Sequence, residues 1–238
     1  MIDCISVENM RESDAYTIEH LIPGLELMHR AAYGVFLVAD WKGRIAILVG
    51  SGNNGGDGFA LACILKEHGY DCSIFTVSQR LSSDSTFYAQ KASASGVSIQ
   101  PFSAENLQEY DILVDCLLGT GFRGSVRSDY RAAINAINDS NSFVISVDIN
   151  SGMNGDTGEA EIAVKSDLTV TIGFVKTGLI SPNAGKYISR LICVDIGIQL
   201  AKQEGKILSK EEWDAIKYPN QSFIPCPQWL DMTVKKVY

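Results

Sequence analysis

The sequence predicts a doubly wound, mostly parallel α/β sheet, and three observations carry that prediction. Its core runs, such as Ile112-Leu113-Val114 and Val144-Ile145-Ser146-Val147, are continuous rather than alternating. Strands covered by helices on both faces read this way. Such runs alternate with amphipathic helical segments, the pattern of a parallel sheet layered between helices. A glycine-rich turn joins the strand Ile45 to Val49 to a helix, as ligand-binding folds of this class require.

Taken in order, Met1 to His20 is expected to be a helix with Ile5, Met10 and Ile18 among its apolar positions. Pro23-Gly24 marks a break before a second helix that runs to about Asp40. Strands are expected at 45–49, 72–77, 97–100, 111–116, 143–148, 168–173 and 191–195, and helices at 58–68, 84–95 and 128–139. With 238 residues, 46% hydrophobic and 20% charged, the chain suits one large α/β core and is short for two. One domain over 1–238 is therefore expected, divided into N-terminal helices (1–41), a sheet core (42–200) and a C-terminal tail (201–238). The tail from Trp213 to Tyr238 carries no motif.

The composition excludes several classes of function. A net charge of -8 gives no basic field to displace counterions, so no nucleic-acid surface is expected. The most apolar stretch, Ala31 to Trp41, is too short to cross a bilayer and includes Asp40, so no membrane partner is expected either. Asp3 and Glu8 near the start do not fit a signal peptide. Six scattered cysteines, Cys4, Cys63, Cys72, Cys116, Cys193 and Cys226, form no C-x-x-C pair and read as buried reduced thiols of a cytoplasmic protein. His20, His29 and His68 lack the spacing of zinc ligands.

The stretch Gly50-Ser51-Gly52-Asn53-Asn54-Gly55-Gly56-Asp57-Gly58 is the most informative. Glycines there allow a tight turn and close approach of backbone N–H groups to a phosphate, with Gly55 expected to need both close approach and positive φ. Gly50, Gly52 and Gly55 satisfy the G-x-G-x-x-G spacing, which by itself is weakly diagnostic. No acidic residue ends the second core strand, which leaves into Ser78-Gln79-Arg80, so a hydride-transfer dehydrogenase is disfavoured. Phe59 stands where a P-loop would place lysine, which disfavours a kinase. Two further strand ends are polar and glycine-rich, Asp115 to Gly124 and Asp148 to Gly152, and all three are expected to meet in one crevice. A strand-end aspartate also serves as a cap or turn former; two beside a double asparagine favour a site.

Together, Gly50-x-Gly52-Asn53-Asn54-Gly55-Gly56-Asp57-Gly58, Val114-Asp115 with Gly119-Thr120-Gly121 and Gly124, Val147-Asp148-Ile149-x-Ser151-Gly152 and Lys176-x-Gly178 resemble the YjeF N-terminal domain family. Leu27-Met28-x-Arg30-Ala31 and Val194-Asp195-Ile196-Gly197-Ile198 extend the resemblance over nearly the whole chain. It implies a three-layer α/β/α Rossmann-like fold, usually a homodimer, that epimerises the S and R forms of hydrated NADH and NADPH (NADHX and NADPHX) in nicotinamide nucleotide repair. It further implies a bound potassium ion (K+) and a separate NAD(P)HX dehydratase as functional partner.

Residue by residue, the resemblance implies substrate binding by Asn53, Asn54, Gly55, Gly56 and Asp57, by Gly119, Thr120, Gly121, Phe122, Arg123, Gly124 and Ser125, and by Asp148. The potassium ligands would be Asn54, Asp115 and Ser151, an oxygen set that suits a hard cation. Asp148 is the candidate acid/base and Lys176 a candidate catalytic partner, or else a solvated loop lysine. Asp57 is expected either to contact the ligand or to cap the following helix. The family has proline where Asn150 stands, so a looser turn is expected; glutamate and glycine are usual at His29 and Ala32. The alternative function is a non-catalytic dimerising scaffold or a nucleotide-binding module of the same fold.

Overall fold

A computed structural model describes residues 2–78, 80–203, 206–215 and 222–224. Cys226 and much of the tail lie outside those residues. The elements run β1 (Ile2–Ile5), α1 (Val7–His20), α2 (Gly24–Val38), β2 (Ile45–Val49), α3 (Asn53–Glu67), β3 (Cys72–Thr76), α4 (Ser83–Ala94), β4 (Ser98–Pro101), β5 (Ile112–Cys116), α5 (Ser128–Asn138), β6 (Phe143–Val147), β7 (Leu168–Ile172), β8 (Val175–Lys176), β9 (Leu191–Val194), β10 (Lys206–Leu208), α6 (Lys210–Ala215) and β11 (Ser222–Ile224).

Eight strands form one sheet in the order β11-β9-β7-β6-β5-β2-β3-β4, every pair parallel. The winding reverses at β2: β3 and β4 follow to one side, while β5, β6, β7 and β9 build out on the other. The carboxyl ends of β2 and β5 therefore open a crevice at the switch point, where doubly wound sheets bind ligands.

The pleat divides β2 between the two faces. Ile45, Ile47 and Val49 pack with α2 and α3 residues such as Val35, Phe59 and Ile64, whereas Ala46 and Leu48 pack with Tyr130, Ala133 and Ile134 of α5. All five β2 side chains are buried, which explains the unbroken apolar run. Asp115 and Ser146, paired in register on β5 and β6, interrupt this core with a buried polar couple.

The seven expected core strands and three expected core helices are present, with ends shifted by a residue or so except at α3, which begins at Asn53 rather than 58. The start of the chain differs from expectation. Only Val7–His20 is helical, because Ser6 caps it by accepting from the Asn9 N–H at 3.1 Å. Ahead of the cap, Ile2–Ile5 is a strand that pairs with β8 in parallel and β10 antiparallel, making a small second sheet.

Ile5 is buried in that strand, and Ile18 is exposed on α1. Met10 is buried as expected, and the buried face of α1 also carries Asn9, Ser13 and Thr17. These hold the segment after β9: Ser13 and Thr17 hydroxyls accept from Ala201 and Gln199 N–H at 2.9 and 2.8 Å, and the Asn9 amide donates to the Lys202 carbonyl at 3.1 Å. Beyond it, the tail residues of β11 extend the main sheet beside β9.

Candidate active site

The three polar strand ends meet as expected, in a cleft of about 650 Å³ beyond β2, β5 and β6. Its wall includes Gly52, Asn53, Asn54 and Asp57 from the first turns of α3, Leu117 to Arg123 and Ser125 after β5, and Asp148 after β6. Gly124, at φ 82°, turns away and lines a neighbouring cavity of about 530 Å³ that shares Phe122 and Arg123.

The glycine-rich stretch is mostly helix. Gly52 is the N-cap of α3 and makes no side-chain cap bond, and Asp57 lies inside the helix, so Asp57 is not a cap. Gly55 and Gly56 are buried and do not line the cleft. Nor does Gly55 have positive φ. It is glycine because a Cβ there would stand 2.3 Å from the Gly50 carbonyl oxygen, and one on Gly50 would stand 1.9 Å from the Leu117 oxygen. These residues bring the helix start against the β2 and β5 turns. Gly52 and Gly121 meet nothing within 4 Å and leave backbone open toward the cleft. Gly55 and Gly56 N–H already donate to the Gly52 carbonyl, at 3.0 and 3.3 Å, within this first turn.

Asp148 and Lys176 form the centre of charge. Asp148 is held at φ 69°, a left-handed conformation uncommon for a residue with a side chain. Lys176 is not a solvated loop lysine: it belongs to β8, is 0% exposed, and donates to the Asp148 carboxylate, to the Ile172 carbonyl at 2.7 Å and to Thr171 Oγ1 at 3.1 Å. The Asp148 side chain keeps 14% exposure and faces the cleft, so the lysine reaches the cleft through it. Asp14 of α1 also stands in the wall. Burial, then the charge of Asp148, raises the Asp14 carboxyl above its usual range; Lys176 opposes this. Asp57 is raised well above that range by burial, then by Asp148 and Asp14, again opposed by Lys176. Three carboxylates thus share one lysine.

Asn54 is 8% exposed, and both its Oδ1 and Nδ2 lack a hydrogen-bond partner. A buried amide without partners is costly unless a ligand supplies them. Gly119 lies against it, where a Cβ would stand 3.1 Å from the asparagine Cβ. The adjoining Leu118 N–H donates to Ser151 Oγ at 2.8 Å. Ser151 in turn donates from N–H and hydroxyl to Asp115, which also accepts from Ser146 Oγ at 2.9 Å and Leu117 N–H at 3.2 Å. Burial raises the Asp115 carboxyl, and the bonds from Ser151, Leu117 and Ser146 offset part of that. Asn54, Asp115 and Ser151 are thereby linked through the 117–119 backbone.

Asn150 does not loosen the turn after β6. Fully buried, its amide donates to Val164 O (2.9 Å), Ser166 Oγ (3.0 Å) and Tyr187 O (3.1 Å), and accepts from Thr169 Oγ1 at 2.6 Å. The side chain pins the turn that a proline would stiffen. Ala32 is wholly buried, and His29 stacks on Tyr33 with its basicity lowered by burial. Asp14 was not signalled by the sequence, since nothing local distinguishes it from other polar helix residues. Among the described residues the cysteines are buried, and burial raises the thiols of Cys63 and Cys72 to about 11.

Comparisons with known proteins agree with this geometry. The family described as YjeF-related protein N-terminus matches residues 24–178, a span that holds β2 through β8 and most of the cleft. The NAD(P)H-hydrate epimerase of Lentilactobacillus buchneri is 35% identical over 206 residues, covering 83% of this chain and 96% of that protein. That of Rhodopirellula baltica is 34% identical over 82% of this chain and 85% of its own. The bifunctional NAD(P)H-hydrate repair enzyme Nnr of Coxiella burnetii is 37% identical over 79% of this chain, which spans 40% of that longer protein. In fold, the chain is similar to yeast ynu0 (YNL200c), with a TM-score of 0.69 at 18% identity over 89% of this chain and 98% of that one. By the family match and by relatives aligned over most of both lengths, the chain belongs to the YjeF N-terminal family.

Proposed function

We propose that this chain is an NAD(P)H-hydrate epimerase, an isomerase that interconverts the S and R forms of hydrated NADH and NADPH in nicotinamide nucleotide repair. The observation that carries the reading is the cleft at the switch point, where the Asp148–Lys176 pair faces a buried, unpartnered Asn54 amide across glycine-lined backbone. A scaffold gains nothing from an unsatisfied buried amide.

The hydrate differs between epimers at C6 of the reduced nicotinamide. Changing one into the other requires the carbon–oxygen bond to break and reform on the opposite face, or the ring to open and reclose. Each route moves a proton, and Asp148 holds or moves it at its cleft-facing carboxylate, a role worth ~10²–10⁴-fold in rate. Lys176 fixes that carboxylate in place. The start of α3 and the 119–125 turn take the pyrophosphate through backbone N–H groups, with Arg123 at the rim. In a chain of net charge -8 such local donors must do this work.

The residues fit a potassium ion. Asn54 Oδ1 lacks a donor, and Asp115 and Ser151 supply an anionic and a hydroxyl oxygen linked to the same stretch of backbone. Asn54, Asp115 and Ser151 would hold it, and a bound cation would supply positive charge to the cleft. The unit is a homodimer acting in the cytoplasm beside a separate NAD(P)HX dehydratase; the longer, bifunctional relatives support that link. Among the described residues no helix is long and apolar enough to cross a membrane.

The test is a coupled assay, in which chemically hydrated NADH is supplied to an S-specific dehydratase with and without this protein. The R epimer is expected to be consumed faster with it. Consumption at the spontaneous rate refutes the function.

A further inference from the structure

Inverting C6 poses a problem that one fixed acid/base cannot solve. If the carbon–oxygen bond breaks, oxygen leaves from one face and water arrives at the other, so a proton must be given on one side and taken on the other. We propose, resting on the epimerase reading, that Asp57 is the second catalytic carboxyl of this cleft. It is the proton donor that works opposite the Asp148 carboxylate, with Asp14 as its positioning residue.

The placement comes from the sheet. Asp57 leaves the end of β2 on α3, and Asp148 leaves the end of β6; β5 lies between them. Neighbouring strands are ~4.8 Å apart, so the two strand axes stand about 10 Å apart and the carboxyls reach the same cleft from its two sides. Asp57 shares a helix face with Asn54, three positions earlier. That amide is more than nine-tenths buried and unpartnered in the cleft wall, and it marks where a polar ligand group belongs.

Their surroundings divide the roles. Asp148 receives the ammonium of Lys176 directly and takes the accepting role. No ion pair or hydrogen bond to Asp57 is found among the described residues, and the groups that face it are mostly acidic. Asp14 approaches from α1 and Asp148 from the end of β6, while Lys176 of β8 is the opposing cation and is already engaged by Asp148. Tyr88 of α4 and Cys116 of β5 are kept neutral by burial, and α2 presents uncharged Met28 to the neighbouring Gly56. Burial and these two carboxylates hold the proton on Asp57.

The step balances without any co-reactant but water. The Asp57 carboxyl gives its proton to the C6 hydroxyl, the C6–O bond breaks with its electron pair leaving as water, and the N1 lone pair forms the C6=N1 iminium. Water adds from the other face, the π pair returns to N1, and the surplus proton goes to the Asp148 carboxylate. Exchange with cleft water then returns the proton from Asp148 to Asp57 for the next turnover, and the reverse reaction exchanges the roles.

The experiment is the pH profile of epimerisation, with the unaltered chain and the variants Asp57→Asn, Asp57→Glu and Asp14→Asn, using hydrated NADH as substrate. The acid must be protonated, so it sets the alkaline limb; the base sets the acidic limb. Asp57→Asn is expected to lower kcat roughly a hundredfold and to erase the alkaline limb while keeping the acidic one. Asp57→Glu restores the limb, and Asp14→Asn moves it to lower pH because a raising charge is gone. Infrared difference spectra of the ligand-free protein at neutral pH should show a protonated carboxyl band that Asp57→Asn removes. An unmoved profile in Asp57→Asn, or a change in KM alone, overturns the proposal while the unaltered chain is active; so does absence of that band. No catalysis by the unaltered chain overturns the functional reading itself.

Discussion

Replacing Lys176 with methionine isolates the ammonium from its stem. Methionine keeps an unbranched, buried chain and removes three interactions: the ion pair with Asp148 and the bonds to the Ile172 carbonyl at 2.7 Å and Thr171 Oγ1 at 3.1 Å. Removing one partner of a buried ion pair costs ~3–5 kcal/mol, because the other charge stays behind. Asp148 keeps 14% side-chain exposure to the cleft, and water there relieves it, so the expected loss lies at the lower end, about 3 kcal/mol at neutral pH. For a chain of this size that is a fall in Tm of about 6–12 °C. The loss should also depend on pH. Asp14 and Asp57 are already raised by burial and by Asp148, and Lys176 is the charge that lowers both. A carboxyl whose folded pKa lies above its unfolded value binds more protons in the folded state. Stability is therefore lost as pH rises from the unfolded value of ~3.9 through the folded one. Without the lysine Asp14, which it lowers, rises further, so the gap between Lys176→Met and the unaltered chain should widen from about pH 4.5 to about pH 7.5. Urea melts at both pH values measure it, and Asp148→Asn in the same chain should recover part of the loss. A gap below about 0.5 kcal/mol, or one independent of pH, would refute the view that one ammonium balances this cluster of carboxyl groups.

Three further outcomes test the frame around that cluster. Gly55→Val should destabilise the fold by more than about 3 kcal/mol, since its Cβ would lie 2.3 Å from a backbone oxygen, whereas Gly121→Ala, with nothing within 4 Å, should change stability by less than about 0.5 kcal/mol; thermal melts decide. Asn150→Ala should cost about 1–3 kcal/mol by leaving the buried Val164 carbonyl without its donor and removing the bonds to Thr169 and Tyr187, and Asn150→Pro should not recover it, because proline carries no amide; urea unfolding measures both. Potassium should raise Tm above sodium or choline at matched ionic strength, by an amount set by RT ln(1 + [K⁺]/Kd), about 2.7 kcal/mol at a hundredfold excess, and equal midpoints would remove the ion site.

What could be read from the sequence was what is local. The β2 and β5 runs are unbroken because both faces of those strands are covered, and the turn at Gly50 to Gly58 is rich in glycine because its backbone packs on other backbone. Both features leave a mark in a few consecutive residues. The reason for the glycines was harder to read than their presence. Close packing of Gly55 on Gly50 and a positive φ at Gly55 predict the same residue, and only the path of α3 separates them. The reach of Asn150 was hidden similarly, since its four partners lie 14 to 37 positions away.

The charge balance of the cleft was the least legible part, and the small second sheet explains why. Lys176 is buried because Cys4 and Ile5 of β1 pair with Val175 and Lys176, a contact across most of the chain between two very short strands. Neither strand is long enough to announce itself by alternation, and a lysine after a strand reads as solvated. The same pairing carries the chain into α1, whose Asp14 then stands in the cleft wall, so one non-local pairing supplies both the cation and an extra carboxylate. A substitution in β1 should thus disturb the protonation of residues that lie far from it in sequence, which a reading of the cleft motifs alone would not anticipate. The motifs locate the site, and the strand ahead of them sets its charge.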